Sequence, residues 1–233
     1  MDKVQLLGWI FLVFHAVLIP RGALRTRRHL AQHPVPPDLG AHLLRVILSQ
    51  VLLVTLSLVV AWGTWIRVFM PPRLTWVDAA LGAGALALLV AIAQVFWRDT
   101  VDRGEPRVAY LSPRTPRERV LWVLVSLAAG IGEEITYRGV LFIVLLRITG
   151  NPWAALAVSA AIFTLAHLQQ RPAGLAVIAL GAVLCQLLAM RTGSLYLSMA
   201  LHTLYDVIAG FTYARLVARR EARRAETAAA ATG

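Results

Sequence analysis

Apolar residues in this chain come in long blocks rather than in alternation. The blocks fall at about residues 4–19, 43–69, 76–97, 121–146, 153–168, 173–190 and 195–217. Apolar runs of this length read as membrane-spanning helices, and the period-two pattern of a barrel strand is missing. The pattern predicts an all-α polytopic membrane helical bundle with about seven transmembrane helices. It forms one domain over residues 1–217, followed by a basic, Ala-rich tail at 218–233 expected to be flexible. Pro34, Pro36 and Pro37 break the chain after the first block, and Pro71 and Pro72 end the second. Trp62, Trp65, Trp76 and Trp97 sit near block ends, where indoles favour the headgroup region. Gly82 and Gly84 permit close helix contact.

The first block is preceded by Lys3 and followed by Pro20, Arg21, Arg25, Arg27 and Arg28, with no small-residue cleavage pattern. It reads as a retained, short transmembrane helix rather than a signal peptide. The fourth block starts earlier than its apolar part. Thr115-Pro116-Arg117-Glu118 combines a cap residue, a proline at the first helical position and a glutamate three residues after the cap. From there to about Arg147 the helix would be ~45 Å long, more than the thickness of a bilayer core. Its first turns therefore stand in water, and Glu133 lies at moderate depth.

Composition agrees with the blocks. Of 233 residues, 58% are hydrophobic and 15% charged, and the mean hydropathy is +0.68; a soluble domain carries about 25% charged residues. The net charge of +11 comes from basic residues in the loops. That is the bias of a membrane protein rather than the single basic face of a nucleic-acid binder. With seven spans, 17 Lys and Arg fall on one side and five on the other. The expected orientation puts the N-terminus outside and the C-terminus in the cytoplasm of a cell membrane, with lipid as the surroundings. The lone cysteine, Cys185, excludes an internal disulfide or a cysteine-based zinc site and reads as a core residue. The 22 arginines against one lysine point to a GC-rich genome; the expected source is bacterial and the expected location its cytoplasmic (inner) membrane.

Against this background a few ionisable residues stand out within the blocks: Glu133, Glu134 and Arg138 in the fourth, His167 in the fifth, His202 and Asp206 in the seventh. A charge at the bilayer centre costs at least ~2.5–3.5 kcal/mol, so each needs a reason. Glu134 and Arg138 are four residues apart, as are Phe163 and His167, and His202 and Asp206, so each pair shares a helix face. Glu133 projects about 100° away from Glu134. Taken singly, Glu134–Arg138 can be a packing ion pair, each histidine a hydrogen-bonded core residue, and Asp206 a support for His202. His15 reads as structural or interfacial, and His29, His33 and His42 as solvated. Taken together, an acid and two imidazoles on three helices favour a site. A carboxylate and a neutral imidazole can hold a water and take its proton for attack on a carbonyl, and His202 with residue 206 can stabilise the oxyanion. No G-x-S-x-G occurs, and Ser126, Ser159, Ser194 and Ser198 have no base at a suggestive spacing.

Glu133-Glu134-x-x-x-Arg138, Phe163-x-x-x-His167 and His202-x-x-x-Asp206, in that order, resemble the three motifs of the CPBP (Abi, type II CAAX prenyl protease-like) intramembrane glutamic endopeptidases, over about residues 118–210. The resemblance implies that Glu133 and His167 activate the water and that His202 and Asp206 bind the oxyanion. It also implies that Glu134 and Arg138 support the site, and it requires no cofactor and no metal. The family's last position is most often Asn, and an ionised Asp206 would repel an oxyanion. Asp206 is then either protonated by desolvation or keeps His202 charged. The implied substrate is a membrane-anchored peptide or protein. The implied processing is CAAX-like, removal of a C-terminal sorting tail as by myxosortases, or bacteriocin-related. Three rivals stand beside it. A zinc protease lacks an H-E-x-x-H, a transporter lacks internal repeats, and a non-enzymatic immunity or chaperone protein would not need the motif set intact. Level helices put His167 nearer its cytoplasmic end than Glu133 or His202, which predicts a cavity opening toward that end.

Overall fold

Local sequence signals place most of the helix ends. In the computed structural model, which describes residues 3–232, there are eight helices: α1 (Lys3–Gln32), α2 (Leu39–Gly63), α3 (Trp76–Asp102), α4 (Arg107–Leu111), α5 (Pro116–Thr149), α6 (Pro152–Leu165), α7 (Pro172–Thr192) and α8 (Tyr196–Thr232). No strand occurs among the described residues. Residues 1, 2 and 233, which the expected domain and tail include, lie outside them.

Asp38 caps α2 by accepting from the Ala41 amide at 3.0 Å. Thr75 and Asp78 form a reciprocal capping box on α3, as Thr115 and Glu118 do on α5. Asn151 caps α6. Pro116, Pro152 and Pro172 each occupy the first position of a helix, where the missing N–H is not needed.

Five helices are long and apolar enough to cross a membrane: α1, α2, α3, α5 and α7. The expected seven are not all reached by this measure, for two different reasons. The 14 residues of α6 span only ~21 Å. The 37-residue α8 is long enough but is diluted by its polar residues, His202 and Asp206 among them. Pro20, which follows the first apolar block, does not end its helix. It lies inside α1, two residues after the end of a π turn at Phe14–Leu18. The wider turn makes room for the proline ring and spares the helix the broken hydrogen bond that would otherwise stop it. Residues 218–232, expected as a flexible tail, continue α8 as an exposed helix.

The long helices alternate in direction, and side-chain bonds tie their ends. At one end the Tyr110 hydroxyl donates to the His33 carbonyl, Arg114 pairs with Glu221, and Arg220 donates to the Asp102 carbonyl. At the other, Arg147 donates to the Thr64 carbonyl and Arg191 pairs with Asp78. The first end therefore gathers the arginine-rich segments. Exposed leucines, valines and isoleucines cover the sides of α2, α3 and α5, and Trp62, Trp65, Trp76 and Trp153 are exposed near the second end. A soluble monomer rarely shows so much apolar surface; hydrocarbon between two aqueous faces accounts for it.

The helix α5 lies at the centre, with α2 and α8 as its main partners and α6 against its second half. Gly130 sets the closest approach. A Cβ there would come within 2.7 Å of the Thr203 main-chain nitrogen on α8. Gly210 on α8 makes room for the Trp122 indole, whose Nε1 donates to the Asp206 carbonyl at 2.9 Å. These two contacts hold α8 in register with α5. Gly130→Ala is expected to destabilise the detergent-solubilised protein by about 1–3 kcal/mol, whereas Gly84→Ala, with open space around its position, leaves it unchanged; thermal melting of both variants checks this.

Candidate active site

Halfway along, α5 changes its winding. Residues Glu134–Leu141 form a π-helical segment, entirely buried, between two α-helical stretches. Such a segment leaves main-chain groups misaligned and persists only when neighbours satisfy them. Here the Ser159 hydroxyl of α6 donates to the Tyr137 carbonyl at 3.0 Å. The Thr136 hydroxyl, 2.8 Å from that of Ser57 on α2, donates to the Gly132 carbonyl at 2.8 Å. Helices on both sides therefore hold the segment that begins at Glu134.

The Glu134 carboxylate is completely buried. Its Oε1 accepts from His202 Nδ1 at 2.9 Å and lies 3.1 Å from Arg138 Nη1. The Arg138 contact is a charge contact rather than an aligned hydrogen bond, because Nη1 meets no acceptor along its N–H direction. The Arg138 guanidinium also sits over the Phe163 ring, 4.3 Å from its centre. Phe163 in turn packs against both histidine rings, at 4.7 Å from His167 and 6.1 Å from His202.

Glu133 faces the other way, into a cavity of about 360 Å³. Its Oε2 lies 3.9 Å from His167 Nε2 and 3.8 Å from His202 Nε2. These distances are too long for direct hydrogen bonds and suited to a bridging water. The Asp206 Oδ2 is 3.7 Å from the same His202 nitrogen. His167 is not on a helix. It follows the end of α6, and its Nδ1–H donates to the Phe163 carbonyl at 2.8 Å. That bond leaves Nε2 as the free ring nitrogen, directed at Glu133. The turn after α6 thus removes the difference in depth between His167 and the other two residues.

All seven residues singled out in the sequence, Glu133, Glu134, Arg138, Phe163, His167, His202 and Asp206, come together. The expected division between the two glutamates also appears: Glu134 pairs with Arg138 while Glu133 faces the cavity. It is Glu134, rather than Asp206, that bonds His202 Nδ1. His15 is wholly buried beside Tyr137, with Nδ1 donating to the Phe11 carbonyl at 2.9 Å, and Cys185 is a buried core residue. Gln50 escaped the sequence reading. Its Nε2 donates to Glu133 Oε1 at 2.8 Å from α2, a helix with no recognisable motif. The only signal was a lone amide inside an apolar run.

The bundle is all-helical among the described residues, apolar on its outer surface as a membrane protein is, and brings an acid and two imidazoles to one cavity. The family model "Type II CAAX prenyl endopeptidase Rce1-like" matches residues 115–208. This stretch begins at the α5 cap, ends just past Asp206 and makes up less than half of the chain; over it the chain is similar to that family. No curated protein and no solved structure shows significant similarity to the chain.

Glu134→Ala would leave Arg138 as an uncompensated buried charge and is expected to cost about 3–5 kcal/mol of stability, read as a lowered melting temperature. Gln50→Leu keeps the volume but frees Glu133 Oε1. It is expected to leave melting nearly unchanged and to reduce turnover by about tenfold or more, checked by initial rates on any cleaved peptide.

Proposed function

We propose that the protein is a glutamic-type intramembrane endopeptidase that hydrolyses a peptide bond near the end of a membrane-anchored peptide or protein. The observation that carries this reading is the position of Glu133 Oε2 between His167 Nε2 and His202 Nε2, at 3.9 and 3.8 Å, on the wall of an internal cavity. A water held by Glu133 and His167 gives up a proton to that pair as its oxygen attacks the carbonyl carbon. The C–N bond then breaks as the proton passes to the leaving amine. Gln50 binds one oxygen of Glu133 and so keeps the other aimed at the water. His202 presents Nε2 to the developing oxyanion while Glu134 holds its Nδ1. Asp206, 3.7 Å from that nitrogen, either donates a proton or keeps the imidazole charged.

The processing proposed is C-terminal, CAAX-like or of a sorting tail. The cavity runs from Glu133 to the bundle end that holds the segments 103–115 and 166–171, where Arg107, Gln169 and Gln170 line it. In the orientation proposed from the basic residues that end is cytoplasmic, and the membrane is a bacterial inner membrane.

Comparative membrane proteomics of wild-type cells and cells carrying Glu133→Ala tests the activity. At least one membrane-anchored protein is expected to keep an uncut tail in the variant; identical proteomes contradict the reading. Activity insensitive to chelators separates this mechanism from a zinc protease. Asp206→Asn separates the two states of residue 206: unchanged or faster cleavage means its charge is dispensable, whereas loss of more than about tenfold means that a charged Asp206 supports His202.

A further inference from the structure

Arg107 lies outside the matched region, on the short helix α4. It is 7% exposed and lines the same cavity as Glu133, His167 and His202. Its partners are neutral: the Gln170 amide oxygen on Nη1, and the Thr100 hydroxyl at 3.2 Å from Nη2. Its Nε is buried with no acceptor. Among the described residues no carboxylate comes within ion-pair distance of the guanidinium, and the nearby Glu105 is taken by Arg171. Buried cations are ordinarily paired. The desolvation of this one pulls its pKa below the usual arginine value, yet an arginine stays charged in a protein. A buried, unpaired cation on the cavity wall is a receptor for an anion.

We infer that Arg107 receives the terminal carboxylate of the bound substrate and so fixes how far from the chain end the bond is cut. This rests on the reading of the centre as a protease and names the residue that would measure the distance to the end. The Nε–Nη2 edge of the guanidinium matches a carboxylate side-on. The spacing fits as well. Tyr213, in electrostatic reach of Arg107, lies seven residues beyond Asp206 on α8. Two helical turns put the anion site about 10 Å from the reacting centre, and an extended peptide covers this in about three residues. The wall between is apolar and aromatic, with Leu89, Ala93, Trp97, Val177 and Tyr205, which suits small or apolar side chains near the substrate's end. A phospholipid phosphate is the competing anion. The buried Nε and a cavity leading to Glu133 favour the peptide.

The test uses the full chain in proteoliposomes with a library of lipid-anchored peptides randomised over the last four residues. Each peptide is made with a free carboxylate and as the terminal amide, and products are read by mass spectrometry. Wild type is expected to cleave the free acids with a kcat/KM at least about tenfold above that of the amides. Arg107→Gln is expected to erase this ratio, chiefly through KM, while kcat for the best peptide stays within about twofold. Arg107→Lys is expected to restore part of it. A variant that melts with wild type but keeps the wild-type ratio overturns the proposal, as do equal rates for acids and amides in wild type. If the protein cuts internal bonds of anchored proteins and neither terminal form, the proposal falls and the protease reading stands. If wild type and Glu133→Ala both leave every peptide and every membrane protein intact, both fall. An anionic phospholipid that co-purifies with wild type and is lost from Arg107→Gln assigns the site to lipid and overturns the proposal.

Discussion

One carboxylate holds the centre of this bundle. Glu134 is wholly enclosed and shared between Arg138 on its own helix and His202 on α8. An ion pair in such a place gains little by itself, because desolvation offsets most of the attraction. Losing one member is what costs. The arrangement therefore works as a geometric constraint: α5 and α8 must pack so that His202 reaches Glu134, or a charge is stranded in hydrocarbon. Gly130, against the Thr203 backbone, is the steric side of the same constraint.

With Glu134 committed inward, its neighbour has to point elsewhere. The π segment begins at this junction, and its main-chain groups are met by Ser159 from α6 while Ser57 from α2 supports Thr136 within it. The same α2 sends Gln50 to Glu133, and the same α6 ends in the turn that carries His167. Elements that satisfy the irregular backbone thus also deliver the polar side chains. The chain tolerates an irregular, charged region within the membrane because α2, α6 and α8 each contribute a hydrogen bond to it.

The sequence was most legible where chemistry is expensive. Charges in an apolar block are rare enough that Glu133, Glu134, Arg138, His202 and Asp206 stood out without any structure, and i,i+4 spacing told which ones share a face. The capping box at Thr115 and Glu118 appeared where the sequence placed it. What was not legible depends on tertiary contact. Hydropathy could not show that His167 lies beyond its helix, that Pro20 is carried inside α1 by a π turn, or that the arginine- and alanine-rich end continues α8. Gln50 and Arg107 were hidden for a related reason. A single amide in an apolar run and one arginine among many in a loop gain meaning only from what they touch.

In the proposed mechanism, water oriented by Glu133 and His167 attacks the peptide carbonyl directly. Single-turnover hydrolysis in ¹⁸O-water, with enzyme in excess over a cleaved peptide, tests it most closely. Direct attack puts one ¹⁸O atom in the new carboxyl terminus after the first turnover and none in the enzyme peptide that contains Glu133. An unlabelled product, or label appearing in Glu133, would mean that the carboxylate itself attacks, and the water mechanism would be wrong.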